Sequence, residues 1–353
     1  MFQGGTSSST SASSKGPLAL QRAEAVGTTL ADLDGGPSAS ELLREVGWLL
    51  DDSVAAIKQA ADSTPETITW QELRSLQRYR KDAAHATFHS DTSVQEPQIV
   101  MRAHLDRLQS MWQRRIDDRV PLQYLNNAAH WRDVVLAVGP GVLIPRPETE
   151  QMIDMAVEAL QANPSLSSGP WLDLGTGSGA LALGLAGVLP PTSQVWAIDV
   201  SEQAAAWARL NVQRLARPSV KVVVGEWYAP VQHLEGQVAG IVSNPPYIPR
   251  HQMRGLQAKV GRHEPWTALA GGAGAGVDSL TVICTGAARM LRPGGWLALE
   301  TAGGHQAQEV AQLLRSMTLP SQAGGAQQAF ADVTVQADMF RVDRFVAARR
   351  LPL

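Results

Sequence analysis

From residue 38 the apolar positions fall at helical spacing. Leu42, Leu43, Val46, Leu49 and Leu50 share one face, and Ser40 is placed to cap the helix that carries them. Further helical stretches are predicted over residues 70–79 and 99–117, separated by polar segments such as 90–98, with no strand-like run between them. Residues 38–125 are therefore predicted to form a small all-α domain. Apolar and polar residues then alternate from His130 to Val138 ahead of Gly139-Pro140-Gly141, which predicts a hairpin or linker over residues 126–146. Beyond residue 147 the rhythm changes. A helical run begins near Gln151, and short apolar runs follow at 171–174, 195–198, 221–224, 240–243 and 296–300, with amphipathic segments between them. That alternation predicts an α/β fold, a mostly parallel sheet with helices on both faces. Residues 328–335 and 343–348 are expected to add an antiparallel hairpin at its edge.

Composition narrows the function classes. With 44% hydrophobic and 18% charged residues the chain has the balance of an ordinary globular protein, and its 353 residues allow two cores. A net charge of −3 argues against affinity built on neutralising phosphates, so no direct nucleic-acid partner is expected. The longest apolar stretch, residues 180–189, is far short of the ~20 residues that span a bilayer, and no membrane partner is expected. Cys284, the single cysteine, reads as a small core residue. His85 and His89 stand four residues apart, a spacing two metal ligands can share, but no third ligand is near in sequence; they read as solvated or packed, and no metal is expected. Residues 1–23 lack Asp and Glu and are dense in Ser and Thr, so residues 1–37 read as a transit peptide or a disordered tail.

The chemistry-bearing segments lie in the α/β part. Asp173-Leu174-Gly175-Thr176-Gly177-Ser178-Gly179 follows an apolar strand and opens an apolar helix. Glycines there let the backbone turn tightly and approach a ligand. Asp199 closes the next strand about 24 positions on, where a carboxylate can accept both ribose hydroxyls of a nucleoside. Glu226-Trp227 follows the third strand, where an indole can lie against adenine. For S-adenosylmethionine, Asp173 would stand near the methionine ammonium.

The fourth strand runs into Ser243-Asn244-Pro245-Pro246-Tyr247, the most specific signal in the chain. Two prolines stiffen the loop and leave its carbonyls unpaired toward a ligand. An amide nitrogen is a poor nucleophile because its lone pair is delocalised, so an enzyme that methylates it must fix its orientation. The Asn244 side-chain oxygen and the Pro245 carbonyl are each placed to accept one N–H of a planar NH2 group, and Tyr247 to supply a flat wall over it. No acid or base of shifted pKa is needed for that task.

With these residues in hand the chain resembles the release factor glutamine methyltransferase family, as a full-length member, from about Arg119 to its end. The likeness rests on Leu143-Ile144-Pro145-Arg146-Pro147-Glu148-Thr149-Glu150, residues 173–179, residues 243–247, and Gly261-Arg262-His263-Glu264-Pro265 followed by Gly271-Gly272. The resemblance implies a class I S-adenosylmethionine-dependent methyltransferase fold: a seven-stranded, Rossmann-like sheet over residues 147–353, joined to a helical domain that recognises substrate. It implies methylation of the glutamine in the Gly-Gly-Gln loop of class 1 peptide chain release factors. By position, Asp173, Gly175, Thr176, Gly177, Ser178, Gly179, Asp199, Trp227 and Asn244 would bind the cofactor. Asn244, Pro245, Pro246 and Tyr247 would hold the glutamine, with Arg146 and Glu148 beside them. Residues 130–133, 260–265 and 338–346 look most like plastid-type members, which implies the plastid stroma, and otherwise the cytoplasm, for a monomer.

One departure stands out. Where the family usually has an Asp in a Gly-Gly-x-Asp-Gly stretch, this chain reads Gly271-Gly272-Ala273-Gly274-Ala275-Gly276. A loop expected to touch cofactor or substrate is altered. Adenine's exocyclic amine presents the same planar NH2, so a nucleic-acid adenine methyltransferase is the alternative acceptor reading. A non-catalytic cofactor-binding module is a further one.

Overall fold

The computed structural model describes residues 37–58, 98–101, 105–320 and 325–352. They divide into two compact units, one reaching Asn126 and including residues 257–259, the other made of residues 127–256 and 260–353. Residues 1–36, the helix predicted at 70–79, and His85 and His89 lie outside the described residues.

In the first unit, helix α1 (Ala39–Ser53) opens with a reciprocal cap. The Glu41 amide donates to Ser38 Oγ at 3.3 Å, and the Ser38 amide donates to Glu41 Oε2 at 2.7 Å. Ser38, not Ser40, is thus the capping residue. Strand β1 (Val54–Lys58) pairs antiparallel with β2 (Gln98–Met101), followed by helices α2 (Leu105–Asp117) and α3 (Leu122–Asn126). The helix expected from residue 99 therefore begins only at Leu105, and a two-stranded sheet interrupts the helical reading. Short apolar runs such as Ile99-Val100-Met101 fit either period, and pairing with β1 decides between them. Leu42, Val46 and Leu49 pack with Leu108, Trp112 and Leu122 into this unit's core. Buried Arg115 meets Glu45 through two bonds, 2.6 and 2.8 Å long.

The second unit begins with a hairpin, β3 (Ala129–Trp131) and β4 (Val134–Leu136), as the alternating pattern predicts. Helix α4 (Gln151–Ala162) follows. The main sheet contains β5 (Trp171–Leu174), β6 (Val195–Asp199), β7 (Val220–Val224), β8 (Val238–Ser243), β9 (Leu291–Glu300), β12 (Phe330–Ala337) and β13 (Asp343–Arg350). A small pair, β10 (Thr318–Pro320) and β11 (Ala326–Gln328), precedes the last two. The seven main strands lie in the order β12-β13-β9-β8-β5-β6-β7. Strand β13 is antiparallel to both neighbours and enters between β9 and β12, while the pairs from β9 to β7 are parallel. This is a seven-stranded sheet with a parallel core, as the resemblance implies.

Helices α5 (Ala180–Val188), α6 (Glu202–Arg214), α7 (Asp278–Met290) and α8 (His305–Ser316) alternate with the strands. Leu172, Leu174, Ile241 and Leu297 pack with Ile283, Cys284 and Val310 in one continuous core. Cys284 is fully buried, and burial pushes its thiol up to about 12. Because β5, β6 and β8 run parallel and in register, their carboxyl ends emerge side by side, and their loops build the site.

Candidate active site

The loop after β5 holds Gly175, Gly177 and Gly179 at φ of +72°, +56° and +86°. These left-handed conformations, not crowding, demand glycine at the first two positions, since a Cβ there would meet nothing closer than 3.9 Å. Asp173, fully buried beneath the loop, accepts from Thr176 Oγ1 at 2.6 Å and from the Ala182 amide of α5 at 2.9 Å. Its other oxygen, Oδ1, has no partner, and burial pushes the carboxyl up to about 7.

Asp199, at the end of β6, accepts from the Gly177 amide at 2.9 Å and the Ser201 amide at 2.8 Å. It therefore clamps the loop after β5 to the turn that opens α6, and burial raises its pKa. A second clamp escaped the sequence reading. Asn211, fully buried on α6, donates from Nδ2 to the carbonyls of Ala137 and Ser178, both at 2.9 Å, and accepts the Ala137 amide at 2.7 Å. An Asn within the apolar side of an amphipathic helix is the only local signal for it.

One cleft gathers these elements. Gly175, Thr176, Gly177 and Ser178 form one wall, Asp199, Ser201 and Ala204 another, and Glu226 with Trp227 a third. Val142, Leu143, Pro145 and Thr149 also line it, with Asn244 and Pro246 of the tetrapeptide. The indole of Trp227 is half-buried and its backbone sits at φ +46°. Asp173, Gly179, Pro245, Tyr247, Arg146 and Glu148 are not among the residues that line this cleft.

Those residues act in other places. Arg146 Nη2 donates to Glu264 Oε1 at 2.8 Å, and Glu264 Oε2 also accepts the Ile144 amide at 3.2 Å. Glu148 begins the 3-10 turn that leads into α4 and presents Thr149. Behind the tetrapeptide lies a buried polar chain: Asn244 Nδ2 stands 3.0 Å from Thr149 Oγ1, which stands 2.6 Å from Glu300 Oε2. The Tyr247 hydroxyl donates to Glu300 Oε1 at 3.1 Å. Glu300 ends β9 with no exposure, and burial pushes it up to about 7, against the hydrogen bonds from Thr149 and Tyr247. Burial likewise raises the Tyr247 hydroxyl far above its ordinary value.

The altered glycine stretch packs against the tetrapeptide rather than on the cleft. The Gly271 amide donates to the Ile248 carbonyl at 2.9 Å, and Gln306 Nε2 bridges the carbonyls of Tyr247 and Ala275 at 3.0 and 2.7 Å. A Cβ on Gly276 would come within 2.4 Å of the Tyr247 carbonyl oxygen.

The donor set suits a nucleoside bearing an amino-acid tail. Each oxygen of Asp199 holds one amide and, having two lone pairs, retains room for a hydroxyl. Asp173 Oδ1 is an unpartnered acceptor buried below the loop, and Trp227 lines the cleft. Among the described residues no group of His, Cys, Asp and Glu is arranged to hold a metal, and no helix is long and apolar enough to cross a membrane.

The family described as Methyltransferase small domain matches residues 149–261. The chain is 44% identical over 254 residues to a release factor glutamine methyltransferase of Thermosynechococcus vestitus, covering 72% of this chain and 82% of that protein. It is 39% identical over 284 residues to the protein of that name in Synechocystis sp., covering 80% and 87%. The protein of that name in Streptomyces coelicolor shares 35% over 258 residues, covering 72% and 85%.

Proposed function

The chain belongs to the release factor glutamine methyltransferase family, and on that premise we propose how its cleft performs the reaction. It is an S-adenosylmethionine-dependent methyltransferase whose acceptor is a glutamine of a release factor. Bound S-adenosylmethionine supplies an electrophilic methyl group. Gly175, Thr176, Gly177 and Ser178 would line its place, Asp199 would take the ribose hydroxyls and Trp227 the adenine, and Asp173 would serve the ammonium end by holding the loop through Thr176 and the Ala182 amide.

The acceptor is the side-chain amide of the glutamine in the Gly-Gly-Gln loop of a class 1 release factor. Its planar NH2 is held by Asn244 Oδ1 and the Pro245 carbonyl, which aims the nitrogen into the cleft and restores lone-pair density to it. The observation that carries this reading is that Asn244 lines the same cleft as the glycine loop while its Nδ2 is already engaged by Thr149. Tyr247 bonds to Glu300 and is absent from the cleft wall, so it serves by holding the tetrapeptide. Arg146 and Glu148 serve by presenting Thr149, the former through its pairing with Glu264.

A monomer acting in the plastid stroma completes the proposal; the address rests on the acid-free, Ser- and Thr-rich residues 1–23. Transfer of a labelled methyl group is the test, offered in parallel to a recombinant class 1 release factor, DNA and RNA. Label in the release factor alone is expected. Label in nucleic acid alone would overturn the acceptor.

A further inference from the structure

The chain of contacts behind Asn244 has a direction. Thr149 Oγ1 carries a single proton and lies within bonding distance of two groups, Glu300 Oε2 at 2.6 Å and Asn244 Nδ2 at 3.0 Å. Glu300 also receives the Tyr247 hydroxyl. An ionised carboxylate only accepts hydrogen bonds. Thr149 and Tyr247 must then both donate to Glu300, and Thr149 has only lone pairs left for Asn244. Those lone pairs take an N–H of Nδ2, and because the carboxamide is planar, Oδ1 is turned away from Thr149 and toward the cleft.

Protonation lifts the constraint. A carboxylic acid can donate to Thr149, whose own proton is then free to bond Asn244 Oδ1, and the amide is no longer held from turning its NH2 to the cleft. Two NH2 groups facing each other cannot bond. The charged and titratable groups acting on Glu300 are Tyr247, Glu148 and Arg344.

We propose that Glu300 and Thr149 are positioning residues that set the orientation of the Asn244 amide, so that the enzyme turns over only with Glu300 ionised. The inference rests on the reading above that Asn244 receives the acceptor carboxamide. Glu300 is buried, and its carboxyl is pushed up to about 7, which places the step within reach of ordinary assay conditions.

The test measures single-turnover methyl transfer to a release factor across pH for wild type, T149V, T149S, E300Q and N244A, with cofactor affinity measured beside it. Valine keeps the shape of Thr149 and removes its hydroxyl; serine keeps the hydroxyl. T149V is expected to slow transfer by about tenfold or more, with cofactor affinity within about threefold of wild type, on the scale of one lost hydrogen bond. T149S is expected to recover most of the rate, which a purely packing role would not explain. The wild-type rate should rise from acid toward neutral pH with a midpoint near about 7, and E300Q should lack that step. T149V at wild-type rate while N244A is inactive would overturn the inference alone, as would T149S as slow as T149V, or E300Q keeping the step. N244A at wild-type rate would instead remove the acceptor reading, and the inference with it.

Discussion

Arg146 Nη2 lies 2.8 Å from Glu264 Oε1, so two motifs 118 residues apart in the chain meet as one ion pair. Glu264 is almost wholly buried and spends its second oxygen on the Ile144 amide. The pair fixes the segment that carries Leu143, Pro145 and Thr149 along one side of the cleft. Removing the carboxylate strands a partly buried guanidinium and an amide together. Glu264→Ala is expected to cost about 3–5 kcal/mol of stability, and the double variant with Arg146→Ala less than the sum. Thermal unfolding of the four proteins measures this; strict additivity would show that the pair is not coupled.

Asp199 joins the loop after β5 to the start of α6 and offers its remaining lone pairs to the cleft. Asp199→Ala should weaken S-adenosylmethionine binding by about tenfold or more, the scale of hydrogen bonds to a charged acceptor. Calorimetric titration reads this directly. Unchanged affinity would take Asp199 out of the cofactor's contacts.

Gly276 sits at φ +76°, and a Cβ there would strike the Tyr247 carbonyl oxygen. Gly276→Ala should displace the tetrapeptide and lower the rate of methyl transfer, with cofactor affinity changed far less. Loss of cofactor binding instead would place this stretch on the cofactor side.

Asp173 gives a prediction in pH. Its folded value, about 7, lies above the ordinary 3.8, so between those values the folded protein holds a proton that the unfolded chain releases. Stability from this group therefore falls as pH rises through that window and levels off above it. Asp173→Asn removes the dependence. Relative to wild type without cofactor, the variant should gain about 2 kcal/mol between about pH 5.5 and about pH 8, read by chemical denaturation. An equal difference at both values would contradict the buried-carboxyl account.

The strands of the main sheet were legible because each is a short apolar run bounded by Gly, Pro or polar residues, and parallel strands buried on both faces read that way. That the glycine loop, Asp199 and Asn244 sit at strand ends and line one cleft was legible for a related reason: each position is set by spacing within one strand and its following turn. What stayed hidden depends on topology. Thr149 and Glu300 are 151 positions apart and Asn211 and Ala137 are 74 apart, and no local pattern marks a Thr or a Glu as the partner of a distant side chain. Arg146 and Glu148 stood out in the motif, yet Leu143, Pro145 and Thr149 are its residues that line the cleft. The pairing of β1 with β2 was missed because each run is too short for its period to separate strand from helix.

In the proposed reaction Asn244 presents a glutamine amide to the methyl donor. The most direct test of that step is peptide mass spectrometry of a class 1 release factor after incubation with S-adenosylmethionine and either the wild-type protein or Asn244→Ala. The account predicts a gain of one methyl group on the Gly-Gly-Gln glutamine with wild type, and at least about 10²-fold slower gain with the variant. Equal methylation by both proteins, or methylation at a different residue, would contradict it.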